Sequence, residues 1–249
     1  MASNNIISAA INPKQNLVLL HYFGGSAASW QWLIPFLEND FNCIALDLPG
    51  FGAEPPLSDP SIGALTSFTR QKLEAMNIES YVLVGHSMSG KIAVDMAAND
   101  PNFAIKQLIL IAPSPPTIEH ISDEELQKML NHPNLGQAEN TVKSITIKPI
   151  TEDQRDLIIQ NNLQTDNKTW DWWCLKGTKH SIADDAAHLF LPITVIASQD
   201  DPAISFKSIL QEAIPNLPDA KLVTTKGVGH LSPIEVPGWL ASEIKKAIV

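Results

Sequence analysis

Ser87 stands in Tyr81-Val-Leu-Val-Gly-His-Ser-Met-Ser-Gly-Lys-Ile-Ala-Val94. A serine hydroxyl is a weak nucleophile near neutral pH. It needs a base within hydrogen-bond reach, and that base needs a carboxylate to hold its tautomer. Tyr81 to Val84 reads as a buried strand, and Ile92, Ala93, Met96 and Ala97 recur at helical spacing. Gly85 to Gly90 packs two glycines and two serines between them. Small residues let a strand turn sharply into a helix, with the serine at the apex and at the helix N-terminus. The helix dipole and free N–H groups there favour a developing oxyanion. A plain strand-to-helix turn with a capping serine is the bland alternative. The pattern is G-x-S-x-S, not G-x-S-x-G, because Ser89 replaces the second glycine.

A base and an acid should lie just past the ends of other strands. Ile193 to Ala197 reads as a strand and runs into Ser198-Gln-Asp-Asp201. Lys221 to Thr224 reads as a strand and runs into Thr225-Lys-Gly-Val-Gly-His230. His230 is therefore the candidate base. Asp201 and Asp200 are rival acids.

Apolar runs at 17–20, 43–46, 81–84, 107–112, 193–197 and 221–224 predict strands, with a weaker one at Ile6–Ile11. Helical spacing predicts helices over 30–37 (capped by Ser29), 61–76, 91–99, 205–213 and 234–248. Strands apolar on both faces and alternating with helices imply an α/β fold, a mostly parallel sheet with helices on both faces. From Pro113 the pattern changes. Residues 114–190 hold no strong strand and five helical stretches, near 123–130, 137–144, 152–162, 168–175 and 183–189. The expected division is a core of 1–113 and 191–249 with a helical cap insertion over 114–190.

The 249 residues carry a net charge of -10, which argues against nucleic acid and anionic membrane as partners. No apolar run is long enough to span a bilayer, and no signal peptide is visible at the N-terminus. The expectation is a cytoplasmic protein with Cys43 and Cys174 both free. The histidines at 120, 132, 180 and 188 show no metal-ligand spacing, and no metal is expected. His21 and His86 read as packed, hydrogen-bonded residues, Asp47 as a brace for its turn, and Lys91 as solvent-facing. Trp170, Trp172 and Trp173 either pack the cap or line an apolar acyl pocket.

Over nearly its whole length the chain resembles an α/β-hydrolase. His21-Tyr-Phe-Gly-Gly25 is similar to the family's H-G-x-x-G loop, with Tyr22 in place of glycine. Asp47-Leu-Pro-Gly-Phe-Gly52 matches D-x-x-G-x-G, Gly85 to Gly90 is the elbow, Ser198 to Asp201 is similar to G-x-x-D, and Gly229-His230 matches G-H. The resemblance implies Ser87 as nucleophile, His230 as base and then acid, and Asp201 as the orienting carboxylate. It implies the N–H groups of Phe23 and Met88 as the oxyanion hole. It implies a serine esterase acting on a small or medium ester without a cofactor. It also leaves open C–C hydrolysis, lactone or thioester cleavage, perhydrolysis or elimination. The G-H-S-x-S elbow is similar as well to that of hydrolase-fold sensors of small molecules. A serine nucleophile argues against the dehalogenase and epoxide hydrolase branches, whose elbow carries aspartate.

Overall fold

The computed structural model describes residues 14–248. The strand expected at Ile6–Ile11 lies outside the described residues. The other six strands form: β1 (Gln15–Leu20), β2 (Phe41–Leu46), β3 (Tyr81–His86), β4 (Ile105–Ile111), β5 (Ile193–Ser198) and β6 (Lys221–Thr225). They pair in parallel in the order β2-β1-β3-β4-β5-β6.

Side chains alternate across a strand, so each apolar run feeds two cores. Val18 and Leu20 of β1, with Leu83, Leu108 and Val195, face one core. The helices α1 (Ile62–Ala75) and α2 (Met88–Ala98) close that side through Leu65, Leu73, Ile92 and Met96. Leu17, Leu19, Val82, Val84 and Ile109 face the other core. It is closed by Trp30, Leu33 and Leu37, and by Leu240 and Ile244 from the C-terminal helix.

Strand order reverses at β1 and β3. The chain leaves β1 toward β2 on one side and leaves β3 toward β4 on the other. Such a reversal opens a crevice beyond the C-terminal strand ends. The loop after β1 and the elbow after β3 both open there.

Between β4 and β5 the chain is helical: α3 (Asp123–Met129), α4 (Leu135–Ile145), α5 (Glu152–Gln164), α6 (Asn167–Trp172) and α7 (Ala183–Ala186). Ala138 and Val142 of α4 pack with Ile158 and Ile159 of α5 onto Tyr22, Leu231 and Ile234. The insertion thus rests on the loops that follow β1 and β6.

Several local expectations are corrected. The helix expected over 30–37 is two short 3₁₀ turns, Ala27–Trp30 and Ile34–Phe36. Pro35 has no N–H to give the preceding turn and its ring crowds that turn's carbonyl, which disfavours a continuous α-helix here. Ser26 caps the first turn, and Ser29 reciprocates instead of leading. The α6 helix stops at Trp172 and continues as a π turn over Trp173–Gly177. The segment expected as helix over 205–213 is a single α turn, α8 (Phe206–Ser208), followed by a π turn over Ile209–Ala213. The closing helix is two pieces, α9 (Ser232–Glu235) and α10 (Pro237–Ala247), because Pro237 starts a new helix. Lys91, expected at the surface, is fully buried.

Among the described residues no helix is long and apolar enough to cross a membrane.

Candidate active site

Ser87 joins β3 to α2 with φ 56° and ψ -118°. A non-glycine residue held there stores about 1–3 kcal/mol of strain and needs neighbours to enforce it. The Ser87 N–H donates to the Ile111 carbonyl at 2.9 Å, and its own carbonyl accepts from Gly90 at 2.8 Å and Ser114 at 3.0 Å. Two glycines make the turn possible. A Cβ on Gly85 would stand 2.3 Å from the Ser89 carbonyl oxygen, and one on Gly90 2.5 Å from Pro113 Cβ.

Ser89 does not merely tolerate this packing. It is fully buried, and its hydroxyl donates to the His21 carbonyl. The elbow helix is thereby tied to the loop after β1. His21 is neutral and structural: Nδ1 donates to the Tyr22 carbonyl at 2.8 Å and Nε2 accepts the Leu48 N–H at 3.2 Å. Burial pulls its pKa to about 4. Asp47 braces its turn as expected, with one oxygen on the Ala27 N–H at 2.6 Å and the other on Ala53 at 3.0 Å.

His230 follows β6 in a loop that admits no side chain at Gly229, where a Cβ would meet the Ile145 carbonyl at 2.4 Å. Its N–H donates to that same carbonyl at 2.7 Å. The ring Nδ1 lies 2.8 Å from Asp201 Oδ2. A carboxylate only accepts, so the proton sits on Nδ1 and Nε2 keeps a lone pair. Asp201 is held in turn by the N–H groups of Ala203 at 2.8 Å and Ile204 at 3.0 Å. Asp200 points elsewhere and accepts the Gly227 N–H at 2.6 Å.

Electrostatics follow from this pairing. Burial works to lower the His230 pKa, but the Asp201 charge and hydrogen bond, with Glu235 and Glu119 behind them, raise it above the ordinary value. Burial works to raise Asp201, and the His230 charge and hydrogen bond outweigh it, leaving the carboxyl below its usual range. His86 donates from Nε2 to the His230 carbonyl at 2.9 Å, and burial holds its pKa at about 3.

Ser87 and His230 line one cavity of about 420 Å³. Phe23 lines it too, and among the described residues neither the Phe23 nor the Met88 N–H donates to a backbone carbonyl. Trp170 and Trp173 form its aromatic wall. Trp170 stacks on His132 with centroids 3.8 Å apart, meets Phe23 at 4.2 Å, and donates from Nε1 to the Met129 carbonyl at 2.7 Å. Trp172 is not part of this wall. It borders a separate shallow cleft with Pro60 and Lys168. Ser89 shows in the sequence only as a departure from G-x-S-x-G, and two residues near the site carry no sequence signal at all: Glu119 on the cavity wall, and Glu235. The last accepts the N–H groups of Gly229 at 2.9 Å, Ile147 at 2.9 Å and Lys148 at 2.8 Å.

A family model described as alpha/beta hydrolase fold matches residues 15–139, half of the chain. That stretch contains Phe23, Ser87 and Met88 but ends before Asp201 and His230. An uncharacterized hydrolase of Bacillus subtilis, YugF, is 36% identical over 106 residues, covering 40% of this chain and 37% of that one. A pimeloyl-[acyl-carrier protein] methyl ester esterase of Legionella pneumophila is 33% identical over 105 residues, covering 42% of this chain and 41% of its own. The chain thus matches only about two fifths of the length of these curated relatives. The crystal structure of a bromoperoxidase from Bacillus anthracis is similar with a TM-score of 0.85 at 18% identity, covering 95% of this chain and 92% of that one. At that identity the likeness is one of fold.

Proposed function

Since the chain belongs to the α/β-hydrolase fold family, we propose that it is a serine hydrolase cleaving a small or medium carboxylic ester through an acyl-enzyme. One observation carries the reading. The strained Ser87 and a His230 bonded to Asp201 border the same cavity.

In this reading the His230 Nε2 lone pair takes the Ser87 proton as Oγ attacks the acyl carbon. The imidazolium is stabilised by Asp201, which stays ionised. The tetrahedral oxyanion is received by the N–H groups of Met88 and Phe23, where one donor is typically worth about 10²–10³ in rate. His230 then protonates the leaving alkoxide and activates the water that releases the acid. Residues 114–190 act as a cap on a core of 1–113 and 191–249. Trp170 and Trp173 are offered as the apolar wall of the acyl pocket. A cytoplasmic location, with Cys43 and Cys174 free, belongs to the same proposal. The relative named as a methyl ester esterase agrees with ester chemistry.

The sensor alternative rests on Ser89. Its hydroxyl has a packing duty in the bond to His21, which explains that residue without invoking signalling. The test is turnover of a short p-nitrophenyl ester. The wild type should show many turnovers, and Ser87→Ala should lose them. Equal hydrolysis by both proteins rejects Ser87 as the nucleophile. A single slow turnover with lasting thermal stabilisation points to the sensor.

A further inference from the structure

The cavity that Ser87 and His230 border has an uneven charge. Its described lining includes two glutamates, Glu119 and Glu125, and no lysine or arginine. Glu125 is more than half exposed and lies 3.8 Å from Lys128. Glu119 is placed differently. Its main chain is fixed by a 2.8 Å hydrogen bond from its N–H to the Thr178 carbonyl. Its Oε1 is buried without a hydrogen-bond partner, 3.7 Å from the Lys91 ammonium.

Lys91 lies on α2 and is fully buried. It is held by the carbonyls of Thr117 at 2.9 Å and His180 at 3.1 Å. It does not reach the cavity, whereas Glu119 does. The ion pair is therefore oriented, with its cation inside the protein and its carboxyl group on the cavity wall. A fixed dipole in a site of low dielectric acts on a substrate charge far more strongly than it would in water. Burial pushes the Glu119 carboxyl above the ordinary glutamate range, while Lys91 and the Ser114 hydroxyl pull against that rise.

Building on the hydrolase reading, we propose that Glu119 is a specificity-determining residue: the cavity takes esters that are neutral or cationic and rejects esters that carry a carboxylate. An ammonium or hydroxyl on the substrate satisfies the exposed side of the Glu119–Lys91 pair. A carboxylate meets the negative end of that pair, with Glu125 also on the wall and no lysine or arginine there to receive it.

The test uses the full chain and esters matched in shape. One set is the methyl ester of γ-trimethylammoniobutyrate, its neutral isostere ending in a tert-butyl group, and monomethyl glutarate. Acetylcholine against its tert-butyl isostere places the charge on the alcohol side. The wild type should favour the neutral acyl ester over monomethyl glutarate in kcat/KM by about tenfold or more, the scale of one unfavourable charge contact. It should use the cation at least as well as the neutral ester in one of the two sets. Glu119→Gln should shrink the discrimination against monomethyl glutarate to within about threefold, and Glu119→Asp, which keeps the charge, should retain it. Calorimetric binding of the same esters to Ser87→Ala reads the order without turnover. The hydrolase reading stands or falls on p-nitrophenyl ester turnover; should the wild type hydrolyse none of these esters, their binding order in Ser87→Ala still decides the role of Glu119. Monomethyl glutarate handled as well as its neutral counterpart, or an unchanged ratio in Glu119→Gln, overturns the proposal.

Discussion

Asp201 and Asp200 adjoin in the chain, yet only Asp201 lies 2.8 Å from His230 Nδ1. Asp200 instead accepts the Gly227 N–H at 2.6 Å, in the loop that leads to His230. Asp201→Asn should therefore lower kcat on a p-nitrophenyl ester by about 10⁴, as expected when the base loses its tautomer. Asp200→Asn should stay within a few-fold of wild type. Comparable losses in both would refute the assignment. The same pairing sets the pH response. His230 must be neutral to take the Ser87 proton, and Asp201 holds the imidazolium proton to higher pH. Activity is thus absent at low pH and rises with pH through the raised His230 pKa. The acid limb of kcat/KM should lie above about 6.5, the free histidine value. It should move to lower pH in Asp201→Asn. The residues alone leave the two adjacent carboxylates as rivals; the family resemblance implies Asp201, and the loop after β5 sets that one against the His230 ring.

At the scale of elements, the elbow depends on contacts between segments far apart in the chain. The Ser89 hydroxyl bonds the His21 carbonyl at the end of β1. Ser89→Ala leaves that buried acceptor unsatisfied and should cost about 1–3 kcal/mol of stability, read as a drop in the urea midpoint at unchanged m-value. No change in the midpoint would mean that the bond contributes nothing net. The strands were legible because each apolar run feeds two cores. The break within 30–37 is not, because its apolar spacing is helical, whereas in the fold Pro35 lacks the N–H that a continuous helix needs. The burial of Lys91 is illegible for a different reason. Lysine is rarely buried, and its partners Thr117, Glu119 and His180 come from the insertion.

At the scale of the molecule, Glu235 couples the parts. It accepts N–H groups from the His230 loop at Gly229 and from the insertion at Ile147 and Lys148. His230 is also tied to the insertion through Ile145. Glu235→Ala removes a charged acceptor shared by several donors, each such bond being worth about 1.5–3 kcal/mol. The variant should melt at a lower temperature, and its insertion should be cut faster by protease than in wild type. Wild-type cleavage within residues 114–190 would show that Glu235 does not couple the two regions. The reversal of strand order at β1 and β3 places the Phe23 loop beside the elbow. The insertion lines the crevice with Trp170 and Trp173.

The sequence by itself determined the parallel α/β sheet, the helical insertion, and the positions of Ser87 and His230. Those features rest on local information: apolar runs, helical spacing, and small residues at a turn. Only the tertiary structure decided which tryptophans reach the cavity, why Ser89 is a serine, and where Lys91 and Glu119 lie. Each of these is a contact between residues distant in the chain, or a choice between neighbours pointing opposite ways. Periodicity cannot encode such a choice, because it depends on how the loops beyond the strand ends fold over one another.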